Sequence, residues 1–194
     1  RCRNPIGVEP IVIELANVAI WVVFALKFHG DDLLEVLPAF LIFGSVLVAQ
    51  TWIDLREQRL PREITYAGLI LGGVALTVAA LLVEQPERIW MAALGAAIAL
   101  VTMWLIYKLS RGGMGDGDVR LAPLLGMFLG WINPGIVLPG LFFGFLAGAV
   151  VGVAMMAVNR AGRRTALPFG PFLALGTIVG IFVGQHFVDI VLGR

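Results

Sequence analysis

Long apolar runs separated by short polar stretches set the pattern of this chain. The runs fall at about 10–28, 36–53, 64–83, 89–107, 119–133, 135–158 and 168–192. A segment crossing a bilayer needs about 20 mostly apolar residues. It must be helical, because lipid offers backbone N–H and C=O groups no partners. The pattern therefore predicts an all-α, polytopic membrane helix bundle of about seven transmembrane helices. The fifth run is the shortest, and its ~15 residues rise only about 22 Å. Nothing alternates in the manner of transmembrane β-strands.

The polar stretches orient the bundle. Arg1, Arg3, Arg56, Arg59, Arg62, Lys108, Arg111, Arg120, Arg160, Arg163 and Arg164 fall on one side if every run crosses; only Lys27, Arg88 and Arg194 fall on the other. Lysine and arginine collect in cytoplasmic loops, so the N-terminus is expected in the cytoplasm and the C-terminus outside. Hydropathy did not build in that asymmetry, which supports seven crossings. The acids of the "HGDDLLE" loop then lie outside, where they read as solvated.

Composition agrees. The 194 residues are 59% hydrophobic and 14% charged, too apolar for a water-soluble domain of this size. A net charge of +1 gives no bulk pull toward nucleic acid, so the expected surroundings are the lipid bilayer and no nucleic acid partner. One cysteine, Cys2, forms no internal disulfide and makes no zinc site. No linker divides the chain, and residues 1–194 read as one membrane-embedded domain. No cleavable signal peptide is expected, because the first run carries Glu14 and lacks a small-residue cleavage site.

Glycines recur at spacing four, as Gly140, Gly144, Gly148 and Gly152 and as Gly176, Gly180 and Gly184. Each set lies on one helix face, either for close helix packing or as a smooth groove for a guest helix. The five tryptophans mostly fall near run ends, as interfacial anchors do. Pro168 and Pro171 set the start of the last helix, and His29 and His186 lie near the outer face.

Two stretches place acids against apolar runs. "QTWIDLREQRLPREIT" puts Asp54 at the end of the second run, and "GGMGDGDVRL" puts Asp116 and Asp118 at the start of the fifth. Alternation of the crossings brings both to the cytoplasmic side. Ionisable groups near lipid are costly and mark functional sites. Two adjacent carboxylates cannot easily both ionise; one keeps a proton and the other serves as base, which is the chemistry of an aspartic peptidase. The structural alternative pairs Asp54 with Arg56 or Arg59, and Asp118 with Arg120. Gly112, Gly113, Gly115 and Gly117 would let backbone near Asp118 approach an extended substrate.

"GMGDGDVRL" resembles the G-x-G-D signature of the type IV prepilin peptidases, a family of intramembrane aspartic peptidases. "IDLREQRLPREIT" is similar to that family's first-aspartate stretch, with Asp54 followed by Pro61 and Thr65. "LPFGPFLALG", residues 167–176, is similar to the segment before its last helix. The resemblance implies an endopeptidase that removes a short basic leader from type IV prepilins or pseudopilins, cutting after a glycine at the cytoplasmic surface of a prokaryotic inner membrane. It implies Asp54 and Asp118 as the catalytic pair, because Val119, Arg120 and Leu121 follow Asp118 as the family pattern requires; Asp116 then fills a variable position. Gly115, Asp116, Gly117, Pro61, Thr65, Glu57 and Glu63 are expected around the substrate, the acids drawing the leader's lysines and arginines. The substrate helix is expected along the Gly140 to Gly152 face.

This sequence departs from the family pattern in places. Arg62 stands where an acid or amide often follows the proline. Larger members carry two Cys-x-x-Cys pairs linked to zinc and N-methylation, whereas "RCRNPI" reads as a remnant of that region within residues 1–9. No metal or cofactor is expected. Glu14 matches a glutamate frequent on that helix in the family. The alternative class is a proton- or ion-coupled transporter using the same aspartates, against which stand the absence of an inverted repeat and the location of both acids at one surface. A non-catalytic scaffold of a pilus or secretion machine is a third reading.

Overall fold

A computed structural model of the chain describes residues 7–30, 33–110, 113–158 and 168–192. Among the described residues every regular element is helical: α1 (Glu9–Gly30), α2 (Leu37–Glu57), α3 (Arg62–Leu82), α4 (Glu87–Leu109), α5 (Asp116–Ile132), α6 (Val137–Ala157) and α7 (Gly170–Leu192). Short 3₁₀ turns, Leu34–Val36 and Pro134–Ile136, lead into α2 and α6. The proposed remnant at residues 1–9, with Cys2, lies mostly outside the described residues, as do Gly112 and the arginines at 160, 163 and 164.

Among the described residues, six helices are long and apolar enough to cross a membrane; α5 is not among them. Its 17 residues rise about 25 Å. The shortfall has a physical reason. Every residue from Leu124 to Trp131 is buried, so α5 runs through protein rather than lipid. The length rule holds where backbone ends would otherwise meet hydrocarbon.

Helix ends differ from the limits of the apolar runs. α2 continues past residue 53 to Glu57 and stops at Gln58, which adopts φ 50° and donates its N–H to the Asp54 carbonyl. α5 begins at Asp116, after an extended Gly115 at the N-cap. The acids of "GDGD" thus form a helix start, where the helix dipole favours negative charge, rather than a preceding loop.

Aromatic rings hold the half of the bundle opposite the arginine-rich turns. Phe43 stacks on Phe128 at 4.1 Å between centroids, and Phe40 meets Phe28 at 4.4 Å and Phe128 at 5.1 Å. This cluster joins α1, α2 and α5. Phe24 and Phe28 are the only described residues of α1 that are fully buried, so α1 is pinned at that end. Trp131 is buried rather than interfacial, with the Arg88 guanidinium 4.4 Å above its ring.

Glycine governs two helix pairs. A Cβ on Gly176 would lie 2.2 Å from the Gly144 backbone N, and one on Gly144 would lie 2.9 Å from the Phe172 carbonyl. Gly140 and Gly148 likewise face Gly176 and Phe169. The expected guest-helix path along that face is therefore corrected: α7 already fills it at Gly140, Gly144 and Gly148. The pairing of α4 with α5 is equally tight, with a Cβ on Gly95 falling 2.2 Å from the Gly126 carbonyl.

Candidate active site

Four elements converge at the arginine-rich end: the last turn of α2, the α2–α3 turn, the start of α5 and the start of α7. They contribute to a cavity of about 710 Å³ whose lining includes Asp54, Leu60, Gly115, Asp116, Gly117, Asp118 and Phe169. Asp54 is 5% exposed and Asp118 is 7% exposed. The two aspartates, remote along the chain, therefore meet at one cavity.

Each carboxylate has a backbone anchor. The Gly170 N–H donates to Asp54 Oδ2 at 2.8 Å. A Cβ at position 170 would lie 2.8 Å from that same oxygen, so only glycine lets the α7 backbone come this close. Asp118 is the third residue of α5 and accepts a hydrogen bond from the Gly115 backbone at the N-cap. That contact is one half of a capping box, an N3 acid reaching back to the N-cap N–H. Asp118 stands just ahead of the apolar run. Burial, and then the neighbouring charge of Asp54, push its carboxyl up to about 7, against the pull of the Gly115 hydrogen bond.

The arginines are spent elsewhere. Arg56 pairs with Glu9, Arg59 with Glu57, Arg62 with Glu63 and Arg120 with Asp116. The alternative pairing of Asp54 and Asp118 with arginines does not occur among the described residues. The Asp116–Arg120 pair also separates the two acids of "GDGD". Asp116 is an exposed member of a surface ion pair, while Asp118 turns inward.

Other sequence expectations fare differently. Gly115 and Gly117 line the cavity, whereas Glu57 and Glu63 do not and lie exposed beside their arginines. Pro61 and Thr65 are not in the cavity lining and join in a latch. Buried Gln50 donates to Thr65 Oγ1 at 2.6 Å and to the Pro61 carbonyl at 3.2 Å, and Thr65 Oγ1 donates to the same carbonyl at 3.2 Å. Gln50, Leu60 and Gly170 escaped the sequence reading as site residues. The available signals were a glutamine inside an apolar run, a leucine amid a charged turn and a glycine between Phe169 and Pro171.

The profile of the type IV leader peptidase family matches residues 41–154, more than half of the chain and a stretch containing both buried aspartates. The chain belongs to this family. Relatives named prepilin leader peptidase/N-methyltransferase include one from Burkholderia pseudomallei, 34% identical over 96% of this chain and 59% of that protein. Another, from Xanthomonas campestris, is 33% identical over 77% of this chain and 51% of that protein. A third, from Legionella pneumophila, is 28% identical over 100% of this chain and 65% of that protein. The chain thus spans about half to two thirds of the length of these relatives. No solved structure matches it. Family membership and the apolar helices together describe an integral membrane protein of the leader-peptidase kind.

Proposed function

We propose that this chain is an aspartic endopeptidase that removes the basic leader from type IV prepilins or pseudopilins. Cleavage follows a glycine at the cytoplasmic face of a prokaryotic inner membrane. The observation that carries this reading is the pair of buried carboxylates at one cavity, neither of them paired with an arginine among the described residues. Asp118 carries a proton and donates it to the scissile carbonyl oxygen. Asp54, its Oδ2 anchored by the Gly170 N–H, takes a proton from water as that water attacks the carbonyl carbon. Collapse of the tetrahedral intermediate breaks the C–N bond: the proton taken by Asp54 passes to the leaving amine, and a hydroxyl of the intermediate returns its proton to Asp118 as the new carboxyl group forms. Siting the pair at helix ends admits water, which a midplane site would exclude.

Processing of a prepilin by purified protein in liposomes tests the assignment. Asp54→Asn and Asp118→Asn should each lower kcat/KM by about a thousandfold or more, whereas Asp116→Asn should stay within about threefold of the parent. Parent-like cleavage by either member of the pair rejects the dyad. Loss confined to Asp116→Asn transfers the role to that residue.

A further inference from the structure

Leu60 is a half-buried leucine in the α2–α3 turn, following the exposed residues Leu55 to Arg59. Its two methyl groups face different helices. A Cβ on Gly117 would lie 3.1 Å from Leu60 Cβ and 3.5 Å from Cδ1; a Cβ on Gly170 would lie 3.1 Å from Cδ2. Gly117 immediately precedes Asp118, and Gly170 donates to Asp54. The isobutyl fork therefore touches the backbone that carries one carboxylate and the backbone that anchors the other. The next residue, Pro61, is fixed by the Gln50–Thr65 latch, and Gln50 lies one helical turn before Asp54 on the same face of α2. The wedge is thus tied to the helix that bears the first aspartate.

We propose that Leu60 is a positioning residue, a spacer seated between Gly117 and Gly170 that fixes the relative placement of Asp54 and Asp118. The two glycines provide seats for this side chain, which accounts for Gly117 without a substrate strand. The Cβ of Leu60 meets the Gly117 seat and Cδ2 reaches the Gly170 seat; alanine keeps the first contact and loses the second.

Among the described residues, the charged groups lining the same cavity besides the two aspartates are Arg59 from the turn and Asp116 and Arg120 from α5; the described lining from α4, α6 and the residues just before α7 carries none. A spacer role therefore predicts a change in the mutual influence of the two aspartates. A filler role predicts none. This inference rests on the proposed dyad, and it is tested by two measurements, one independent of catalysis.

The first is the pH profile of prepilin cleavage. Leu60→Ala should lower kcat about tenfold with KM within about twofold, and should change the separation of the acid and base limbs by about half a unit or more. Leu60→Met, which refills the space, should restore kcat to within about threefold of the parent. Unchanged limbs in Leu60→Ala overturn the proposal, even if activity falls. The second measurement crosslinks the Asp54→Cys, Asp118→Cys pair in a Cys2→Ser background with a short bis-maleimide. Adding Leu60→Ala should change the crosslinking yield about threefold or more, since yield follows the fraction of molecules in the bridging geometry. An unchanged yield in protein that remains monodisperse in detergent overturns the proposal. A parent that fails to cleave prepilin rejects the proposed activity, and the crosslinking result then decides the role of Leu60 by itself.

Discussion

Asp116 and Asp118 stand two residues apart in one helical turn, yet their surroundings are opposite. About 100° of rotation per residue carries them to different faces of α5. Asp116 meets Arg120 one turn on, at the surface, while Asp118 turns into the cavity and is bound by the N-cap backbone. Folding lifts the Asp118 carboxyl from 3.8 to about 7. The native state therefore holds a proton that the unfolded chain releases. The contribution of Asp118 to stability is full below about pH 4 and is lost as pH rises through about 7. Asp118→Asn does not titrate, so it should gain in thermal stability relative to the parent between pH 5 and pH 8 in detergent; parallel curves would show that Asp118 is not buried as described. The motif distinguished these two acids because Val119, Arg120 and Leu121 carry the family pattern. It did not reveal Gly170 or Leu60, whose roles arise from backbone approach between segments far apart in sequence. No local spacing encodes that contact.

At the scale of elements, hydropathy located the helices and missed their ends. Apolar runs stop where charge begins, but a helix stops where its backbone hydrogen bonding stops. In α2 that point is the left-handed Gln58, one turn beyond Asp54. Packing was legible for α6 and α7, whose glycines repeat every four residues. It was hidden for α4 and α5, where Gly95 meets Gly126 and Gly130 without a long ladder in either helix. Replacing a mid-helix glycine by alanine ordinarily stabilises by about 0.5–1 kcal/mol. Gly126→Ala should do the reverse. Its Cβ would fall 2.3 Å from the Gly95 carbonyl and 2.4 Å from Ala99 Cβ, and such overpacking costs about 1–3 kcal/mol. Gly73→Ala is the control, because its Cβ would meet only Met127 Sδ at an ordinary 3.6 Å. Thermal unfolding in detergent should show the first variant below the parent and the second at or above it. Equal behaviour would mean that α4 and α5 are not in backbone contact.

Across the whole molecule, rigidity and reactivity occupy opposite ends. Phe24, Phe28, Phe40, Phe43 and Phe128 are all buried at one end, while the other end opens into the cavity and carries Arg56, Arg59, Arg62 and Arg120. The same arginines set the expected orientation, so the side of the membrane bearing the cavity and the side holding the positive charge are one question. That link makes the proposed function vulnerable to a measurement involving no catalysis. Glu57, the last residue of α2, and Glu84, just past the end of α3, are exposed and flank α3 at its opposite ends. In a Cys2→Ser background, Glu57→Cys should react with a membrane-impermeant maleimide in inverted vesicles and resist it in intact cells. Glu84→Cys should show the opposite pattern. A prepilin leader waits on the cytoplasmic side with its helix in the bilayer, so an aspartate pair facing outward could not reach the scissile bond. If Glu57→Cys is labelled from outside, the positive-inside reading fails and the leader-cleavage proposal fails with it, even though family membership and helix packing remain as described.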